Sequence, residues 1–202
     1  TFAIVAEYVE LMTNIRFEER ATNGPGVLAI RQHDESDYVP WSRTIRWSNA
    51  SRSTLLHELS HAMGLQHEQQ RTDRDDAVEV LFHNIRPLKR YAYDRLPWPT
   101  PIGDFDFDSI MMYNSCDFRH PDIIGFCGLG MDDALATMIR NEPDPETGSR
   151  LILVDPDRYS ATDLRAIHQF YSGFAVDALD VTLESAAEAA AFCGVAPNGR
   201  II

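Results

Sequence analysis

The sequence predicts an α+β fold. Helix and strand patterns mix in the first third, loop residues dominate after position 70, and helix signals return near the end. The chain has 202 residues, enough for one domain or two closely packed lobes with a sizeable core. Its 44% hydrophobic and 24% charged content is that of an ordinary globular chain. The 31 acidic residues outnumber 18 basic ones, giving a net charge of −13. Such a surface repels phosphate backbones and argues against a nucleic-acid partner. No apolar run approaches the roughly 18 residues of a membrane span, and no charged-then-apolar signal segment opens the chain.

Phe2, Val5, Val9 and Met12 recur at helical spacing with Ile4, Tyr8 and Leu11 beside them, which predicts an opening amphipathic helix. Asn14, Ile15, Arg16 and Phe17 alternate as in a strand. Residues 23–26 read as a turn, and 27–30 and 44–47 as short strands. Asn49, Ser51 and Ser53 are candidate caps for a helix over 55–63, with Gly64 as its stop. Residues 71–83 read as partly helical, and 97–103 and 141–149 as loops. Ser160 caps a later helix with Asp163 in its first turn, followed by Leu164, Ile167, Phe170 and Tyr171. The Ala-rich run 184–192 favours helix.

The chemistry concentrates in residues 57–68. His57 and His61 are four apart and share a helix face, so both imidazoles can reach one tetrahedral metal. Glu58 is rotated about 100° from His57, placing it beside the metal without ligating it. Gly64 can take a positive φ, letting the chain turn so that His67 returns as a third ligand. Three nitrogens leave one position open, the pattern of a catalytic rather than a structural site. A bare His-Glu-x-x-His arises by chance in about one such chain in a hundred; the added glycine and third histidine lower that roughly a thousandfold. His33, His83, His120 and His168 read as surface or packed histidines.

This extended motif resembles the zinc signature of the metzincin clan, and within that clan the chain resembles the astacin family. Glu68 and Arg71-Thr72-Asp73-Arg74-Asp75 are similar to the astacin continuation, as is Asn84-Ile85. Asp108-Ser109-Ile110-Met111-Met112-Tyr113 resembles the astacin Met-turn. The resemblance covers roughly residues 1–171. It implies a two-lobed metzincin catalytic domain spanning 1–202: an upper lobe of about 1–66 with a twisted sheet and active-site helix, and a mostly irregular lower lobe of about 67–171 carrying the Met-turn and last helix. An extra tail, 172–202, has no counterpart. The cleft between lobes would take an extended peptide, partly by edge-strand pairing.

The resemblance further implies a zinc-dependent endopeptidase hydrolysing internal peptide bonds of proteins or peptides through a zinc-activated water. His57, His61 and His67 would hold one Zn²⁺, with Tyr113 as a displaceable further ligand that helps stabilise the oxyanion. Glu58 would be the general base, and Met111 the apolar floor of the site. The expected partners are a protein or peptide substrate and a pro-segment or inhibitor, on a secreted monomer whose signal and pro-segment lie outside this chain. The rival reading is a non-catalytic zinc-binding module, against which the intact Glu58 and Tyr113 speak.

The cysteines depart from the family pattern. Asn14 stands where astacins usually carry a Cys, and 172–180 contains none. The chain opens inside the family's first helix, without the preceding strand and the N-terminus to which the family's counterpart of Glu68 links. Cys116 and Cys127 could close a local loop, worth about 3 kcal/mol by loop entropy. Cys193 is left over; a thiolate there could cap the zinc in a latent form.

Overall fold

The computed structural model describes residues 2–18, 27–48, 51–97, 101–128, 130–153 and 156–171. Within these, helices and small sheets mix in an α+β arrangement. The chain divides into two compact units at Leu65 and Gln66, the first unit regaining the segment that begins at Asp157. Among the described residues no helix is long and apolar enough to cross a membrane.

The first unit is built from regular elements. Helix α1 (Phe2–Met12) buries Val5, Ala6 and Val9, while Ile4 and Leu11 of the predicted apolar face stay exposed. Strands β1 (Ala29–Gln32), β2 (Asp37–Val39) and β3 (Thr44–Trp47) form one sheet in the order β1-β3-β2. Strand β1 runs parallel to β3 and β2 antiparallel to it, with Asp37 opposite Arg46. These two side chains form an ion pair across the strands. Helix α2 (Arg52–Ala62) starts at Ser51, whose Oγ accepts the Thr54 N–H at 3.2 Å.

Helix α2 ends in a Schellman turn. The Leu65 N–H reaches the Ser60 carbonyl and the Gly64 N–H reaches the His61 carbonyl, each at 3.0 Å. Gly64 carries φ 102° at the position where this turn needs it. Helix α3 (Ala161–Tyr171) is closed by a reciprocal cap: the Asp163 N–H donates to Ser160 Oγ at 3.0 Å, and the Ser160 N–H donates to Asp163 Oδ2 at 2.9 Å.

Two sequence expectations change here. Residues 14–17 form no strand; the Phe17 N–H donates to Glu10 Oε1 and the Ile15 N–H to Thr13 Oγ1, so side chains take the donors a sheet would use. The first strand begins at Ala29, two residues later than expected. Helix α3 groups with the first unit. The physical reason is a set of polar and ring contacts. The Tyr171 hydroxyl donates to the Met63 carbonyl at 3.0 Å, Ser60 Oγ donates to the Tyr159 hydroxyl at 3.4 Å, and Tyr159 stacks on Tyr8 at 5.6 Å.

The second unit, Gln66–Pro156, is mostly irregular. Among its described residues one sheet forms, pairing β4 (Val78–Val80) antiparallel with β5 (Met138–Arg140). The stretch 71–83, expected to be partly helical, is a pair of 3-10 turns around β4. Val78, Ile85, Ala92, Tyr93, Met112, Met138 and Ile152 form the core. Buried polar side chains satisfy the irregular backbone around it. Asn84 Nδ2 donates to the Ala134 and Ala136 carbonyls at 2.7 Å, and Ser115 Oγ accepts the Ile152 N–H at 2.7 Å. Cys116 and Cys127 are disulfide-bonded, with Cα atoms 6.2 Å apart. The expected turn at 23–26, the Ala-rich run 184–192 and Cys193 lie outside the described residues.

Candidate metal centre

Helix α2 places His57 and His61 one turn apart, their ring centroids 4.8 Å apart and nearly perpendicular. The Schellman turn then brings the chain back within a few residues to His67. Ligand atoms of His57, His61 and His67 all lie within 4.8 Å of one another. The boundary between units falls inside this contiguous segment, so the grouping is a product of the local chain from 57 to 67.

Hydrogen bonds decide which nitrogens can bind a metal. His61 Nδ1 lies 2.9 Å from the Leu65 carbonyl. A carbonyl only accepts, so Nδ1 carries the proton and Nε2 keeps its lone pair. The turn that ends α2 thus also orients the second ligand. His67 Nδ1 lies 3.0 Å from Gln70 Oε1, which leaves its Nε2 open by the same reasoning. Burial, reinforced by neighbouring His57, lowers His61 to about 3, so the ring stays neutral as a ligand must. Three half-buried imidazoles fit a borderline-soft cation such as zinc.

Glu58 is buried at 6% exposure. It faces β2, where it takes a backbone hydrogen bond from Tyr38. Burial, followed by the charge of Asp37, raises it to about 7 against the pull of that bond. In the second unit the turn at Met111 is tied to the residue after the third ligand, since the Glu68 N–H donates to the Met111 carbonyl at 3.0 Å. Met111 itself is 1% exposed. The Tyr113 ring lies edge-on to the His67 ring with centroids 4.4 Å apart, and it also touches Tyr93 and Phe118. Glu68 is held by Arg71 Nη1 at 2.8 Å and by the Asp106 N–H at 2.9 Å.

The sequence profile of the astacin family, peptidase family M12A, matches residues 42–172. The chain belongs to the astacin family. The three histidines form its zinc-binding triad. The chain is 42% identical over 67 residues to an astacin-like metalloprotease toxin 5 of Loxosceles gaucho, covering 32% of this chain and 36% of the toxin. It is 38% identical over 112 residues to the zinc metalloproteinase nas-14 of Caenorhabditis elegans, covering 53% of this chain and 20% of that protein. For the four astacin-like toxins among these curated relatives, the chain spans between 24% and 54% of their length. The solved structure of high choriolytic enzyme 1, a hatching enzyme zinc-protease from medaka, shares the fold. Its TM-score is 0.61 at 24% identity, over 85% of this chain and 84% of that one.

Two contributors escape the motif reading. Tyr38 of β2, which bonds Glu58, carries no local sequence signal because it arrives through sheet pairing. Gln70 does carry one: it follows His67 by three residues through a 3-10 turn, and residues so spaced eclipse one another.

Proposed function

We propose that this astacin-family chain is a zinc-dependent endopeptidase with Glu58 as general base. The observation that carries the reading is the convergence of three histidine ligand atoms within 4.8 Å, two of those histidines standing on the helix that also carries the buried Glu58 carboxylate. His57, His61 and His67 would hold the zinc, which would supply Lewis-acid polarisation and lower the pKa of the attacking water toward about 7.

The chain's own residues do the rest. Glu58 takes a proton from the attacking water and passes it to the departing amine. Burial and the Tyr38 hydrogen bond hold its carboxylate in one place for both transfers. The Tyr113 phenol, beside His67, stabilises negative charge that develops on the substrate carbonyl oxygen. Strand β2, an edge of its sheet among the described residues, offers its backbone to an extended substrate. We also place the enzyme outside the cell, because the Cys116–Cys127 disulfide persists in an oxidising compartment.

Cleavage of an internally quenched peptide tests the reading. Activity should vanish on chelation and return with stoichiometric zinc, with products that map to an internal bond. Cleavage that survives complete metal removal overturns it. Tyr113→Phe should lower kcat about 10²-fold with zinc retained; an unchanged kcat removes the phenol from the mechanism.

A further inference from the structure

We propose that Gln70 is a positioning residue of the metal centre. Its amide fixes the tautomer of His67 and ties that ligand to the turn at 91–96. The inference rests on His67 being a zinc ligand and adds a residue on which the ligand depends.

Gln70 is 9% exposed and is bound at both ends of its side chain. Its Oε1 lies 3.0 Å from His67 Nδ1. Its Nε2 faces two acceptors, the Tyr91 carbonyl at 3.5 Å and the Asp94 carbonyl at 3.4 Å. The backbone repeats the link, since the Gln70 N–H donates to the His67 carbonyl at 3.0 Å and the Leu96 N–H donates to the Gln70 carbonyl at 2.9 Å.

The amide can take only one orientation in this setting. Turned over, its oxygen would face two carbonyl oxygens and its NH₂ would face His67 Nδ1. Nδ1 would then have to accept, Nε2 would carry the proton, and the lone pair pointing away from Gln70 would be lost. The Tyr91 and Asp94 carbonyls therefore select the amide orientation, and the amide selects the His67 tautomer that leaves Nε2 open. A glutamine performs both tasks at once, accepting from His67 and donating to the two carbonyls. A carboxylate would meet the two carbonyls with no donor, and an aliphatic chain would offer neither group. His61 has no need of such a residue, because the Leu65 carbonyl performs the task from the main chain.

Three variants of the full chain test this: Gln70→Leu, Gln70→Glu and Gln70→Asn. Zinc dissociation constants by chelator competition and the visible spectrum of the Co²⁺-substituted protein are read beside the unfolding midpoint of the metal-free form. Gln70→Leu should raise the zinc dissociation constant about 10–100-fold and alter the Co²⁺ bands. Gln70→Glu keeps the acceptor for Nδ1–H but loses both donors. It should retain zinc within about threefold of the parent while its metal-free midpoint falls. Gln70→Asn is too short to span both ends and should resemble Gln70→Leu in zinc affinity. A purely structural role predicts lowered midpoints with zinc affinity unchanged in all three, and that result overturns the proposal. So does Gln70→Glu losing zinc as severely as Gln70→Leu. A parent chain that holds no zinc instead overturns the metal site itself.

Discussion

In the first unit the apolar faces of three helices and a strand bury Val9, Ile45, Leu55, Leu59 and Ile167 completely, and the backbone bonds itself within regular elements. Among its described residues the second unit has two three-residue strands and 3-10 turns instead. There Arg71 reaches Glu68, Asp73 and the Gly103 and Asp104 carbonyls, and Arg74 reaches Asp75 and the Gln69 and Tyr93 carbonyls. Burial without regular structure leaves carbonyls unpaired, and these two guanidiniums provide many donors from few positions. The first unit therefore satisfies its backbone mainly within regular elements, while the second adds individual polar side chains around its apolar core.

The contrast can be broken by one incoming residue placed in each unit. Arg74→Met keeps an aliphatic chain but strips the donors from two buried carbonyls, and should cost about 3–5 kcal/mol in the urea unfolding free energy. A loss below about 1 kcal/mol would mean that the polar network is ornamental. Gly64→Ala should cost less, about 1–3 kcal/mol. The added methyl meets nothing within 4 Å, so strain at φ 102° is the whole effect. A thermal scan that leaves the midpoint unmoved would remove the Schellman turn from the account. Leu59→Met preserves volume in the first unit and should cost under about 1.5 kcal/mol. Equal losses for Leu59→Met and Arg74→Met would erase the distinction between the units.

The same contrast explains what the sequence made legible. Helices α2 and α3, their caps at Ser51 and Ser160, and β3 follow from apolar spacing and hydroxyl caps, signals that are local. The histidine triad is legible because its geometry is also local, a helix turn followed by a glycine turn. Strand β2 and strand β5 are three residues each and gain their hydrogen bonds from distant partners, so no periodicity announces them. The partly helical stretch 71–83 holds short 3-10 turns, and there Arg71 and Arg74 reach carbonyls distant in sequence. Helix α3 carries a readable pattern, whereas its docking leaves no local signal, since Tyr159 and Tyr171 choose partners far away in sequence. Tyr38 beside Glu58 is invisible for the same reason.

The central claim is that one carboxylate on α2 moves protons for a zinc centre that three histidines hold without it. Glu58→Gln tests this most directly, with zinc content by elemental analysis and kcat/KM on a quenched peptide measured on the same preparation. The account predicts about one zinc per chain in both parent and variant, and a fall in kcat/KM of about 10²–10⁴-fold in the variant. A variant that keeps its zinc and cleaves at the parental rate would contradict it.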